Sequence, residues 1–461
     1  MEPTSTASIK AARWFLGALL AVNLYRAMTQ SVTPGEAWNY DRFIAPAWTE
    51  ALARFDVNNH VLNTLLVRIS TAWFHLTELS LRLPSLLAGV LYLWVVFRMV
   101  RRWFGDGLPF LAVIGLLTLN PLVVDALSEA RGYGMALACW MWALELLLES
   151  VESFSVSKLN LSAMCLGLSV AASLAFAAPA IALLVAFLVC SKSSGGAGGP
   201  RGYPACQPGS LALIVFLTAF VLLAIPLNHA EWKTLGVGAT SLRQTINEIT
   251  AVSLGTSLKV IGAIARVGLA LAAVAGIYAS ARYWRRRDGA LIALTGASLA
   301  LTLMFLIAAH RWLHTPFPQD GAIYLIPLTV LSVTAVILKR PNKAAQIAFL
   351  SVSAVLLARY LGEFPFGMYA AGSQFSGART LAKTLRVKAG NGAVRIGASL
   401  AAEPIVNYYR IRYRQGNWQP IERQPLTGFY DYYVLTPADA ALIEQRHLHV
   451  LYRDTGLTLA Q

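Results

Sequence analysis

Long apolar runs recur over residues 12–361 and constrain the fold of this sequence more than any other feature. Each run is about 20 residues long and carries little charge, which matches the helix length that crosses the hydrocarbon layer of a membrane. Only 13% of the 461 residues are charged, whereas about a quarter are charged in a typical soluble protein. The sequence therefore predicts an all-α polytopic membrane protein.

We predict about eleven transmembrane helices before residue 362. Segment 59–76 also has helical periodicity, but it contains Arg68 and His75. We interpret it as an amphipathic helix that lies flat at the membrane interface. The predicted spans are 12–28, 83–100, 108–126, 132–148, 159–174, 177–190, 211–227, 260–280, 291–309, 323–338 and 344–361.

The distribution of basic residues predicts the orientation of the chain. Short loops rich in Lys and Arg face the cytoplasm, and they fall on one side of the membrane if segment 59–76 does not cross it. The N-terminus is then cytoplasmic and the C-terminus extracytoplasmic. Much of the net charge of +15 flanks these helices, so we do not expect nucleic-acid binding. The basic positions are 10, 13, 98, 101, 102, 192, 201, 282, 285–287, 339, 340 and 343.

Composition changes again at two places. Segment 191–210 is rich in Gly, Ser and Pro, which is typical of a flexible linker. From residue 362 onwards the apolar runs shorten and charged residues return. Helical segments at 377–387, 400–409 and 438–445 alternate there with strand-like segments at 393–396, 432–435 and 448–452, which predicts a small α/β domain over 362–461.

The loop after the first span, residues 29–81, is acid-rich. Its segment 33–59 contains Glu36, Asp41, Glu50 and Asp56. Ionisable groups at a membrane boundary are costly unless they are paired, hydrated or used in function. Two interpretations stay open, namely catalytic carboxylates or a hydrated loop with helix-capping acids.

Two further outer segments, 127–135 and 310–328, combine basic, acidic and aromatic side chains. An Arg fork can bind phosphate through two hydrogen bonds, and a carboxylate can accept the proton of an acceptor hydroxyl. Together they would suit a sugar-phosphate head group, although each Arg alone could simply snorkel to the interface. The candidate residues are Glu129, Arg131 and Tyr133 in the first segment and Arg311 and Asp320 in the second.

The order of the motifs resembles the GT-C superfamily, whose members are polytopic glycosyltransferases that use polyprenyl-phosphate sugars. The motifs are the acidic first outer loop, NNHVLNTLL at 58–66, RLPSLLAG at 82–89 and EARGYGM at 129–135. The sequence is similar to bacterial members related to dolichyl-phosphate-mannose protein mannosyltransferases and the lipid A aminoarabinose transferase. The resemblance covers about residues 12–361 and implies a GT-C-like transmembrane domain over 1–361.

The resemblance also implies roles for individual residues. The family often has an Asp-Glu pair in the first outer loop, and here the matching residues are Gly35 and Glu36. Glu36 would be the general base, with Asp41 as a substitute. The remaining expected substrate-binding residues are Asn59 and His60, which would position the substrate, Arg131 and Arg311, which would hold the donor phosphate, and Glu129, Tyr133 and Asp320.

The implied function is transfer of a hexosyl or pentosyl group from a polyprenyl-phosphate donor to a lipid, glycan or protein acceptor. The implied location is the bacterial inner membrane, among its lipids, with a periplasmic C-terminus. No cofactor is expected; a divalent metal is compatible with the sequence, but no array of His and Cys demands one. Two alternatives stay open: a transporter or flippase of lipid-linked sugars, and a non-catalytic scaffold, because Gly35 replaces the Asp of the pair.

Overall fold

A computed structural model describes residues 4–52, 56, 59–193, 208–228, 238–255, 259–283, 289–338, 342–366 and 368–461. The described chain is mostly helical and ends in a small sheet, which confirms the predicted fold class. Most of the predicted linker 191–210 lies outside the described residues. The same holds for the basic positions 201, 285–287, 339 and 340.

Every predicted span coincides with helical structure, and within the described ranges six helices are long and apolar enough to cross a membrane. The total number of spans stays a prediction. The helices are α1 (Thr4–Thr29), α2 (Pro34–Asn39), α3 (Trp48–Leu52), α4 (Val61–Phe74), α5 (Glu78–Phe104), α6 (Leu108–Thr118), α7 (Pro121–Ala126), α8 (Tyr133–Glu152), α9 (Val156–Ala172), α10 (Ala177–Ser193), α11 (Pro208–Asn228), α12 (Leu242–Leu254), α13 (Lys259–Tyr283), α14 (Ala290–Leu313), α15 (Leu325–Leu338), α16 (Lys343–Gly362), α17 (Ala378–Ala389), α18 (Glu403–Arg412) and α19 (Ala441–Gln445).

Two local features differ from the expected pattern of spans. Segment 108–126 forms two helices, α6 and α7, because Pro121 cannot donate a backbone hydrogen bond and disfavours helix at the residue before it. Asn120 then caps α7 by accepting a hydrogen bond from the Leu122 N–H. The amphipathic helix α12 was not expected in the loop at 228–259. Ser241 caps its start through the Gln244 N–H.

The acid-rich loop 29–81 is largely helical. Its residues Thr33, Pro34 and Glu36 start α2 as a capping box, in which Thr33 and Glu36 each accept a hydrogen bond from the other's backbone N–H. A π-helical turn, Tyr40–Ile44, follows α2. Helix α4 has 14 residues, or about 21 Å at 1.5 Å per residue, which is too short to cross a layer of about 30 Å. Its flat orientation stays a prediction.

The C-terminal sheet has four strands, β1 (Ile396–Ala398), β2 (Tyr432–Leu435), β3 (Val450–Arg453) and β4 (Thr458–Ala460). Their order is β1-β2-β4-β3, with β1 and β2 parallel and the other pairs antiparallel. The short strand β4 was not predicted. Alternation of helix and strand before it agrees with the expected α/β domain.

The C-terminal domain shares one apolar core with the acid-rich loop. Tyr40 of that loop contacts Tyr408 of α18, with ring centroids 5.4 Å apart. At the same junction Glu78, the first residue of α5, forms ion pairs with Arg412 and Arg379 of the C-terminal domain. These contacts hold the sheet domain over the N-terminal ends of α2 and α5, where a site can form between the two domains.

Candidate active site

A cavity of ≈ 270 Å³ lies at the junction of the helical domain and the C-terminal domain. One wall is formed by α2, the start of α4 and the loop between α7 and α8. The opposite wall is formed by residues at the start of α18 and by the loop that follows it. Its lining includes Trp38, Asn39, His60, Arg131, Pro404 and Arg423.

Arg131 places its guanidinium at this cavity. The Arg131 Nη1 donates to Asp320 Oδ2 at 2.8 Å, and the guanidinium carbon lies 5.2 Å from the centre of the Tyr133 ring. Burial opposes the charge on Arg131, but the neighbouring acids outweigh that cost and raise its pKa further. A Cβ built on Gly35 would lie 3.3 Å from Arg131 Nε, so the missing side chain gives this guanidinium its room.

His60 is a buried, neutral imidazole in the same cavity. Its Nδ1 lies 3.1 Å from the carbonyl oxygen of Ala172. Because a carbonyl only accepts, Nδ1 must carry the proton and Nε2 is left as an acceptor. Burial, helped by the charge of Arg131, lowers the pKa of His60 to about 3. Gly132 permits this packing, since its φ is +74° and a Cβ there would lie 2.6 Å from the His60 Cβ.

Glu36 does not line the cavity. Its two carboxylate oxygens accept from Arg82 at 2.8 and 2.6 Å and from the backbone N–H groups of Ala130 and Thr33, both at 2.9 Å. Burial alone would raise the pKa of Glu36, but Arg82 and the backbone donors outweigh it and lower the pKa. These four hydrogen bonds argue against Glu36 as the general base, because a base needs a free lone pair directed at the substrate.

Comparisons with known proteins bear on the fold that holds this cavity. The family profile described as dolichyl-phosphate-mannose-protein mannosyltransferase matches residues 61–224. The solved structure of ArnT from Cupriavidus metallidurans bound to undecaprenyl phosphate is 15% identical, covers 97% of each chain and has a TM-score of 0.53. The apo structure of the same protein is 15% identical, covers 98% of each chain and has a TM-score of 0.51. The chain has a GT-C fold. No curated protein matches the sequence.

Within this GT-C fold, Glu129 lies just behind the cavity. Its Oε1 accepts a hydrogen bond from the Thr33 hydroxyl at 2.8 Å. Burial raises the pKa of Glu129 to about 7; Glu36 and Asp125 add to that rise, whereas Arg131 opposes it. A carboxyl group with this pKa can hold or release a proton near neutral pH, and we expect it to tune the charge around Arg131.

The structure thus brings together five of the nine residues expected from the sequence: His60, Glu129, Arg131, Tyr133 and Asp320. Of these five, His60 and Arg131 line the cavity, and the other three lie beside them. The remaining four expected residues do not line the cavity. Asn59 accepts from the Thr64 hydroxyl at 3.1 Å near the start of α4, and Arg311 is exposed near the end of α14. Asp41 is half-buried in the π-helical turn, and Glu36 forms the buried ion pair described above.

Sequence reasoning did not identify Trp38, Asn39, Arg82 or Arg423 as site residues. Arg82 had a usable signal, because an Arg at the start of an apolar span needs a partner. Arg423 had none, since only the docking of the C-terminal domain brings it to the cavity. Among the described residues, no three His, Cys, Asp or Glu side chains lie close enough together to hold a metal ion. A divalent metal is only compatible with the sequence and is not demanded by it.

Proposed function

We propose that this protein is a glycosyltransferase that takes a sugar from a polyprenyl-phosphate donor. It passes the sugar to a lipid, glycan or protein acceptor at the outer face of the bacterial inner membrane, with its N-terminus in the cytoplasm and its C-terminus in the periplasm. The observation that carries this proposal is the Arg131 guanidinium, which Asp320 holds from one side and which opens into a cavity between the two domains.

The GT-C fold and the solved ArnT complex with undecaprenyl phosphate support the choice of donor. Arg131 has five N–H donors, and its hydrogen bond to Asp320 uses one of them. Because Arg131 lines the cavity, its remaining donors can bind the charge that develops on a phosphate leaving group there. Arginine binds phosphate oxygens through paired hydrogen bonds, and fixed donors at such a position stabilise the transition state.

Transfer breaks the bond between the anomeric carbon and the phosphate oxygen, and the electron pair leaves with polyprenyl phosphate. The acceptor oxygen forms the new bond to the anomeric carbon, and its proton passes to a base. The His60 Nε2 accepts a hydrogen bond from a sugar hydroxyl and orients the ring. The pKa of His60 is about 3, so its imidazole binds a proton only weakly at neutral pH. It is therefore a positioning residue and a poor base.

Among the described residues, no carboxylate lines the cavity. Asp320 is our choice for the base because it is held directly beside Arg131, which does line the cavity, and because its side chain is 38% exposed. Asp41 is the second candidate. A general base contributes about 10²–10⁴-fold to the rate, so Asp320→Asn should lower transfer by that order. Because the Asn oxygen can still accept the hydrogen bond from Arg131, donor binding should change much less. A larger loss in Asp41→Asn would move the assignment to Asp41.

The test uses purified full-length protein with defined polyprenyl-phosphate sugars, with and without cell-envelope acceptors. We expect the wild type to consume one donor when an acceptor is present, measured by chromatography of the lipid products. Loss of both carboxylates, Asp41 and Asp320, without effect on transfer would refute the assignment of the base. Movement of intact lipid-linked sugar across vesicles without donor consumption would replace the transferase with a transporter.

A further inference from the structure

Arg423 brings a second guanidinium to the cavity, from the C-terminal domain. Its side chain is 54% exposed. Its Nη1 donates to the Leu400 carbonyl at 3.1 Å and to Glu403 Oε2 at 3.4 Å. These two contacts hold one nitrogen of the fork. Its Nε and Nη2 meet no acceptor within the part of the chain that the structure describes, so Arg423 is positioned but not satisfied.

The charges around the cavity favour an anionic ligand. Arg131 and Arg423 are the charged side chains among its described lining residues, and no carboxylate is part of that lining. Asp320 contacts the Arg131 guanidinium and Glu403 contacts the Arg423 guanidinium, and both acids lie outside the lining. A phosphate or carboxylate is the strongest acceptor for the remaining guanidinium donors.

The cavity also contains an acceptor that lacks a donor. Asn39 is 3% exposed and lines the cavity, and its Oδ1 has no hydrogen-bond partner among the described residues. A buried acceptor without a donor is unfavourable, and a ligand hydroxyl would supply the missing hydrogen bond. His60 also lines the cavity, and its Nε2 is an acceptor because Nδ1 carries the proton. A ligand that matches both features carries hydroxyl groups and an anionic group.

We infer that the C-terminal wall of the cavity is an acceptor subsite, in which Arg423 binds the phosphate or carboxylate of an acidic sugar and Asn39 accepts from one of its hydroxyls. This inference rests on the proposed function, in which Arg131 holds the donor phosphate. Arg423 then provides a separate positive charge for the second substrate.

The experiment measures binding of three small sugars to purified full-length protein by isothermal titration. The probes are glucose 6-phosphate, glucuronate and glucose, so the two anions are compared with a neutral sugar of similar shape. We expect at least one anionic sugar to bind about tenfold more tightly than glucose. The stronger of the two identifies phosphate or carboxylate as the recognised group.

Substitutions assign that preference to one residue. Arg423→Gln should abolish the tenfold preference, and Arg423→Lys should restore part of it because the charge returns. Arg453→Gln is the matched control, since it removes the same charge from an exposed residue of β3 that does not line the cavity. Equal weakening of glucose and the anionic sugars in Arg423→Gln would indicate lost shape and overturn the inference.

Binding of polyprenyl phosphate to the same samples separates the two proposals. If polyprenyl phosphate binds but the anionic sugars bind no better than glucose up to tens of millimolar, the acceptor subsite is wrong and the proposed function stands. Competition between polyprenyl phosphate and the anionic sugars would place both on Arg131 and also overturn the subsite. If polyprenyl phosphate does not bind, the proposed function fails and the acceptor subsite fails with it.

Discussion

Two arginine–carboxylate pairs lie close to the same acid-rich segment, and they differ in how fully their hydrogen bonds are satisfied. Arg82 and Glu36 are both fully buried, and Glu36 has four described donors. Arg131 and Asp320 have side chains that are 21% and 38% exposed, and one hydrogen bond joins them. The first pair leaves nothing for a ligand to bind, whereas the second leaves donors free in a cavity.

The difference separates a structural pair from a ligand-binding pair. Arg82 also donates to three carbonyl oxygens at the end of α1 and in the segment after it, which are those of Ala27, Gln30 and Ser31. It therefore joins α5 to the chain that leads into α2. A buried ion pair is tolerated only when its remaining donors and acceptors are satisfied in this way. The rarity of acids in a membrane-boundary loop is therefore not by itself evidence that such an acid is catalytic.

The largest expected effect is on the structural pair, Arg82 and Glu36. Glu36→Gln leaves the Arg82 charge buried without compensation, which should destabilise the fold by about 3–5 kcal/mol. Thermal unfolding in detergent would measure it, and Glu50→Gln is the control because Glu50 is exposed in α3. If Glu36→Gln unfolds like the wild type but loses transfer by about 10²–10⁴-fold, Glu36 is the base after all.

A smaller effect is expected on the ligand-binding pair, Arg131 and Asp320. Arg131→Ala removes a charged phosphate contact worth about 1.5–3 kcal/mol, so affinity for polyprenyl phosphate should fall roughly 10- to 100-fold, with little change in thermal unfolding. Arg311→Ala is the control, because Arg311 is exposed and does not line the cavity. A greater loss in Arg311→Ala would return the phosphate site to the last outer loop.

Glu129 should link stability to pH. Its pKa is about 7 in the folded protein and 4.5 in the ordinary case, so between these values the folded state binds a proton that the unfolded state has lost. Stability should therefore fall as the pH rises from about 4.5 to about 7, by at most about 1.4 kcal/mol per pH unit. Thermal unfolding at a series of pH values measures this, and Glu129→Gln should flatten the slope. An unchanged slope in Glu129→Gln would contradict the assignment of this pH dependence to Glu129.

The smallest expected effect concerns Gly35. It tests whether a carboxylate placed there can occupy the Arg131 donors that are left for a ligand. Gly35→Asp introduces a carboxylate whose Cβ would lie 3.3 Å from Arg131 Nε, so it should compete with the donor phosphate. We expect polyprenyl-phosphate affinity to fall roughly three- to tenfold, or about 1 kcal/mol. Gly35→Ala separates the charge from the added Cβ, because it fills the same space without a carboxylate. Equal losses in both variants would indicate crowding and not electrostatic competition.

Several parts of the fold and site could be predicted from the sequence because their causes are local. Apolar runs indicated the helices, and alternating short segments indicated the α/β domain. Glu129, Arg131 and Tyr133 lie within the five residues of the EARGY motif. Their closeness therefore follows from the sequence and needs no particular fold. The break before Pro121 and the short strand β4 were missed, because one rests on a single proline and the other on three residues.

The sequence by itself determined that this chain forms membrane helices, that it resembles the GT-C superfamily and that Arg131 is a candidate phosphate ligand. Only the tertiary structure decided that Glu36 pairs with Arg82, that Asp320 pairs with Arg131 and that Arg423 reaches the cavity. The physical reason is that hydropathy and periodicity act over neighbouring residues, whereas these contacts join side chains far apart in the chain. Whether a carboxylate is saturated or free depends on the donors that packing brings to it.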